Sequence, residues 1–294
     1  MAQRDWLEVL QLISNKDKEY LSNFLASDKV FLPNSSCPNP FDSNAGNFSA
    51  TALGKAKPGD WIPVYKKQDV SEFFHSENFF PVRAGQAEFF FYRGRIFFDL
   101  SDIGFKEIDI RNIEPIAPFV PTTLTAKFQR NENAYLNKAV ALGYINHFVD
   151  GDDLHILKRE IYNKSGKRLL YGQFGKIKTT KPLEFKTSKG SKTIKEGFQF
   201  EIDLVLENEK EIIIFEAKSG NVPTRSFSLL QLYYPLIYLK SFLNEDKNIR
   251  TVFIDVVAGN DAEEYRLMEV GFEDGEFDRV AVMKSNIYSK TNYE

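Results

Sequence analysis

The stretch FEIDLVLENEKEIIIFEAKSG, residues 200–220, decides the fold. Two apolar runs flank a polar turn at Glu207–Lys210 and read as an antiparallel hairpin. Pairing Leu206 with Glu211 sets Asp203 opposite Ile214 and Glu216 opposite Glu201. Side chains alternate faces with period two, so Asp203, Glu216 and Lys218 share one face. Ile202, Leu204, Leu206, Ile213, Phe215 and Ala217 share the other, which is wholly apolar and has to meet a core.

In this pairing Asp203 and Glu216 are diagonal neighbours with backbones about 7–8 Å apart. Carboxylates at that spacing can share one hard divalent cation or two adjacent ones. Mg²⁺ takes oxygen ligands and keeps several waters, so two carboxylates and a backbone carbonyl suffice. The carbonyl between the two functional side chains is that of Ala217. Lys218 then stands beside a metal-bound water, placed to orient it, help deprotonate it or offset charge in the transition state. Phosphodiester hydrolysis needs those elements. A purely structural hairpin is the plainer alternative. Against it, two acids and a lysine on one face of a central strand carry a desolvation cost unless they act.

This hairpin resembles that of the PD-(D/E)xK nuclease superfamily, which includes most type II restriction endonucleases. There an Asp on one strand faces (Asp/Glu)-x-Lys on the next, and the matching residues here are Asp203 and Glu216-Ala217-Lys218. Ile202 stands at the proline position, which varies in the family. The triplet alone is not selective, since Glu184–Lys186 and Glu245–Lys247 fit it too. Only the Glu216 triplet ends an apolar run that follows an Asp-bearing strand. The resemblance covers 125–294 and implies an α/β (α+β) fold. Its restriction-endonuclease-like core would be a mixed β-sheet flanked by helices. It also implies Mg²⁺ as cofactor, with Mn²⁺ able to substitute, and Asp203, Glu216 and Lys218 as catalytic residues.

In many members an acid on the helix before the sheet completes the metal site, and Glu132 fits. Leu136, Ala139, Val140 and Gly143 fall at helical spacings from it, so Glu132 lies on the core-facing stripe of a helix expected over 132–148. A Glu in a first helical turn also complements the helix dipole, which is the bland reading. Glu201 is a further candidate metal-site acid, with a salt bridge as its alternative. After the motif a helix is expected over 225–243. Gln231 and Tyr234 resemble a Gln and a Tyr that several nuclease branches place there, with Gln231 reaching a phosphate or Lys218. Arg225 and Ser226 at the helix start could hold a phosphate.

The net charge of −3 conceals segregation. Between Lys158 and Glu196 twelve Lys/Arg face three Glu, a balance of +9 that leaves −12 for the rest. Such a stretch, leading into the hairpin, is a footprint for a polyanion. Lys164, Lys167, Arg168, Lys176 and Lys178 would reach phosphates, contacts that position a duplex without reading its sequence. Sequence readout is assigned to the N-terminal part. There Arg83 and Gln86 are suited to guanine and adenine edges, in a segment that resembles the N-terminal parts of some restriction endonucleases. A strand-edge salt bridge with Glu88 is the alternative for Arg83.

Two parts are expected: an α+β DNA-recognition region over 1–124 and the nuclease domain over 125–294. The first holds two helices over 4–27, a long polar loop over 33–60 and a hairpin of Glu88–Tyr92 with Arg95–Asp99. PFVPTT (118–123) is the linker and TVFIDVV (251–257) a buried strand. Forty-two aromatics exclude a wholly disordered chain, and the single Cys37 excludes a disulfide framework and a cysteine-based zinc site. With three histidines, a His-rich metal centre is not expected. No secretory leader or membrane span is read, which makes the cytoplasm the expected location.

The expectation is a type II restriction endonuclease hydrolysing double-stranded DNA at a specific sequence. It would act as a homodimer, formed alone or on DNA, with a DNA methyltransferase as genetic partner. The alternatives are a repair, recombination or mobile-element nuclease that reads ends or DNA structure, and a non-catalytic DNA-binding module on the same fold.

Overall fold

The computed structural model describes residues 48–49, 67, 75–76, 78–85, 88–115, 132–150, 175–207, 211–243, 247–259 and 262–291. The helices expected over 4–27 and the linker at 118–123 lie outside the described residues, as does the loop at 33–60 apart from Phe48–Ser49. The chain divides into two compact units. The first comprises Met1–Phe98, Lys178–Gln199 and Ser226–Leu230, and the second Asp99–Ile177, Phe200–Arg225 and Gln231–Glu294.

The second unit is built on a six-stranded mixed sheet. Its strands are β5 (Lys106–Ile108), β10 (Leu204–Glu207), β11 (Glu211–Gly220), β13 (Asn248–Ala258), β14 (Ala262–Phe272) and β15 (Val280–Thr291). Their order is β10-β11-β13-β14-β15-β5. β11 and β13 run parallel, as do β15 and β5, and the other pairs are antiparallel. The runs Ile212–Phe215 and Val252–Val256 are buried on both faces, as expected for central strands that read as continuous apolar sequence. TVFIDVV thus lies in a buried strand, as its sequence predicts.

One face of the sheet is covered by α1 (Glu132–Ala141) and α2 (Tyr144–Asp150). Leu136, Ala139, Val140, Ile145 and Phe148 form one core with Leu204, Leu206, Ile213, Phe215, Ala217, Val252 and Ile254. The apolar face expected from the hairpin is therefore the core face. The expected single helix over 132–148 is in fact broken. Gly143 takes φ +79° at the junction, and a Cβ there would lie 2.7 Å from the Glu114 carbonyl oxygen. Only glycine reconciles that turn with so close a backbone. Across the far end of the sheet Arg250 bonds Glu269, Glu211 and the Val149 carbonyl, tying β13 to its neighbours and to α2.

The hairpin register differs from the expected one. Leu206 pairs with Ile213 and Leu204 with Phe215, a slip of two residues. A slip of two keeps every side chain on its face, so the reading of faces survives while the cross-strand partners change. Asp203 interrupts the strand: β9 (Gln199–Ile202) precedes it and pairs with β6 (Gly175–Lys178), not with β11. The expected opposition of Glu201 and Glu216 is therefore not formed.

In the first unit β1 (Phe48–Ser49), β2 (Phe79–Arg83) and β3 (Glu88–Arg93) form a sheet ordered β1-β3-β2. The hairpin expected from 88–99 is replaced by one between β2 and β3, with Phe80 opposite Tyr92 and Arg83 opposite Phe89. The Gly94 N–H donates to the Asn78 carbonyl and closes the β2–β3 pair. β4 (Phe97–Asp99) instead pairs with β12 (Ser226–Ser228). β7 (Leu183–Thr187) and β8 (Gly190–Ile194) make a second hairpin inside the basic stretch. Leu183, Phe185 and Ile194 point inward while Lys186, Lys189 and Lys195 are exposed. Among the described residues no helix is long and apolar enough to cross a membrane.

Candidate functional site

The interruption at Asp203 creates the site. With the strand broken there, the Asp203 side chain takes up a hydrogen bond in place of backbone: its Oδ2 accepts the Ala217 N–H at 2.8 Å. That bond fixes a carboxylate beside Glu216 and Lys218. Glu216 and Lys218 alternate with the core residues Phe215 and Ala217 along β11 and so project from the opposite face.

There the two side chains meet. Lys218 Nζ lies 2.6 Å from Glu216 Oε1 and 2.9 Å from the Ala217 carbonyl oxygen, which it donates to. Glu132, the first residue of α1, places Oε1 at 3.6 Å from the same ammonium. The helix α3 (Leu230–Lys240) adds Gln231, whose Nε2 donates to Glu216 Oε1. Asp203, Glu216, Lys218, Glu132 and Gln231 are thus gathered at one end of the sheet. Gln231 reaches Glu216 rather than Lys218. Its own Oε1 is buried and has no hydrogen-bond partner among the described residues.

Burial dominates the electrostatics. Glu216 is 5% exposed, and desolvation pushes its carboxyl up to about 8 against the pull of Lys218. Burial pulls Lys218 down, but Glu216, Glu132 and Asp203 together outweigh it, so its pKa is raised and it stays an ammonium. Lys218 is therefore built to supply charge and hydrogen bonds.

The oxygens on offer are hard: the carboxylates of Asp203, Glu216 and Glu132 and the carbonyl of Ala217. This donor chemistry suits Mg²⁺ with several waters retained. Among the described residues no group of three or more His, Cys, Asp or Glu side chains converges as a metal cage. The donor set is accordingly a partial one: the Asp203 and Glu216 carboxylates and the Ala217 carbonyl lie on adjacent backbone segments, and the Glu132 carboxylate comes from α1.

The other residues singled out in the sequence fall elsewhere. Glu201 is exposed on β9. Arg225 is exposed in an extended segment before β12, not at a helix start, because the helix begins only at Leu230. Ser226 begins β12. Tyr234 is buried in α3. Lys178 is exposed at the end of β6, whereas Lys164, Lys167, Arg168, Gln86 and the side chain of Lys176 lie outside the described residues. Arg83 is half-buried, its Nε donating to the Gly85 carbonyl and its guanidinium 5.5 Å from the centre of the Phe198 ring. That engagement ties Arg83 to its own unit.

Sequence reasoning passed over Asp255. It lies on β13 in parallel register with Lys218 and is 1% exposed. Its Oδ2 accepts the Thr224 N–H at 2.9 Å, and burial pushes its carboxyl up. The signal was present: an acid in the middle of the apolar run TVFIDVV.

Residues 99–289 match a family model described as Domain of unknown function (DUF6997). The chain belongs to this family. The matched span contains Glu132, Asp203, Glu216, Lys218, Gln231 and Asp255. No curated protein and no solved structure matches the chain.

Proposed function

We propose that the chain is a Mg²⁺-dependent nuclease with a restriction-endonuclease-like core, and that its substrate is double-stranded DNA cut at a specific sequence, as by a type II restriction endonuclease. The observation that carries this reading is the bond from the Ala217 N–H to Asp203, which holds an Asp beside the Glu216–Lys218 pair. Glu132 and Gln231 support it by closing on the same two residues.

In this reading Asp203, Glu216, Glu132 and the Ala217 carbonyl would hold the cation. The bound cation supplies an activated water and positive charge at the scissile phosphate. Lys218 keeps its proton, orients the attacking water and stabilises charge building on the phosphoryl oxygens. Gln231 holds the Glu216 carboxylate in place. The exposed lysines of the 158–196 stretch and Arg225 bind phosphates, and cutting both strands calls for a homodimer, formed alone or on DNA.

The test is plasmid digestion with Mg²⁺ by the wild-type protein and by Asp203→Asn. Discrete bands from the wild type alone support the restriction reading. A smear, or a need for free ends, moves the activity to a nuclease that reads ends or structure. Equal cleavage by both proteins, or none by either, overturns the assignment.

A further inference from the structure

Asp255 is a buried carboxylate that the proposed chemistry does not use. It sits one strand from Lys218 in an otherwise apolar run, and a Leu or Val there would cost no charge desolvation. One oxygen, Oδ2, accepts from Thr224 N, while Oδ1 is buried without a partner among the described residues. Its hydrogen bonding goes to Thr224, in the segment 221–225 that leaves β11 shortly after Lys218.

That segment has the make-up of a contact surface. Asn221, Val222, Pro223 and Arg225 are exposed, Val222 by 72%. Arg225 makes no side-chain ion pair among the described residues, so its charge faces outward. The segment is pinned at two points, Thr224 N on Asp255 and the Arg225 carbonyl, which accepts from Leu100 N at 2.9 Å. With the Arg225 carbonyl held by Leu100 N, the Asp255 bond at Thr224 is the second anchor of the segment that presents Arg225.

We infer that Asp255 is a positioning residue of the site: by accepting the Thr224 N–H it fixes the segment 221–225, and with it Arg225, as a phosphate-binding strap for a nucleic-acid strand entering beside Lys218. The inference rests on the nuclease reading for the identity of the ligand. Asp255 touches no substrate in this arrangement and acts only through the strap.

The test compares full-length wild type, Asp255→Leu, Asp255→Asn, Arg225→Ala and the Asp255→Leu/Arg225→Ala double variant. Leu keeps volume and strand preference but cannot accept the N–H, whereas Asn still can. Two quantities are read: hydrogen exchange of the 221–225 amides, and affinity for a labelled random-sequence duplex in Ca²⁺ across a salt series. Asp255→Leu is expected to lose protection at Thr224 and to lose as much duplex affinity as Arg225→Ala. Each should shallow the salt slope by about 1. The double variant binds no worse than Arg225→Ala alone, and Asp255→Asn stays close to wild type. Unchanged Thr224 exchange in Asp255→Leu overturns the inference, and so do losses that multiply in the double variant. Should Asp255→Leu not fold, Asp255→Ala serves the same comparison. A wild type that neither binds nor cuts DNA overturns the nuclease reading and the strap's phosphate role together. Multiplying losses in a DNA-cleaving protein overturn the inference alone.

Discussion

Asp203 Oδ2 accepts the backbone N–H of Ala217 at 2.8 Å, so one carboxylate serves both the strand and the site. The two roles separate by mutation. Asp203→Ala leaves the Ala217 N–H without its acceptor and is expected to cost about 1–3 kcal/mol of stability. Asp203→Asn keeps an acceptor and is expected to unfold in urea within about 0.5 kcal/mol of wild type. Both should be inactive if Asp203 holds the cation. Equal stability of the two variants would show that the bond is not what holds the hairpin end.

Lys218 is the countercharge of Glu216, at 2.6 Å. Lys218→Met takes away the charge that opposes burial of Glu216, so the carboxyl is driven to take up a proton, and the expected loss is up to about 3 kcal/mol at neutral pH. The double variant Glu216→Gln/Lys218→Met removes both charges and is expected to recover most of that loss. Denaturant titration of the four proteins measures the coupling. Strict additivity would mean that the pair is not coupled in solution. On the proposed nuclease reading, DNA cleavage is expected to fall by about 10²–10⁴-fold in Lys218→Met and not to return in the double variant.

Much of the site was legible because its signal is local. Period-two alternation placed Glu216 and Lys218 opposite the core face, and helical spacing placed Glu132 above Leu136 and Ala139. The register was off by two because alternation cannot distinguish pairings two residues apart; that choice depends on where Asp203 breaks the strand. The hairpin over 88–99 failed for a related reason. β4 is too short to choose a neighbour by pattern, and its partner β12 lies more than a hundred residues downstream. Asp255 escaped because a sole acid in an apolar strand reads as tolerated until Thr224 N is seen upon it.

Asp255 also gives the protein a pH signature. Burial raises its pKa above the ordinary aspartate value of 3.8. A carboxyl with a raised folded pKa contributes stability while protonated and loses that contribution as the pH climbs through the folded value. Asp255→Asn does not titrate. Its stability relative to wild type is therefore expected to rise as the pH moves up from about 3.8 towards neutrality. Urea midpoints of both proteins across that range measure it, and a pH-independent difference would sink the prediction.

Gly143 is the joint between α1 and α2, and its φ of +79° is a conformation L side chains rarely adopt. A methyl there would meet the Glu114 carbonyl oxygen at 2.7 Å. The substitution Gly143→Ala would favour a continuous helix locally, yet continuity would carry Ile145 and Phe148 off the core face they now occupy. Left-handed strain alone costs roughly 1–2 kcal/mol. Displacing backbone adds to that, so the expected loss is about 2 kcal/mol or more. Glu132 sits at the other end of α1, and loosening the joint frees the helix that carries it. Gly143→Ala is therefore expected to lower thermal stability and, on the proposed nuclease reading, cleavage as well. A variant as stable as wild type would show that the joint is not under the constraint its backbone implies.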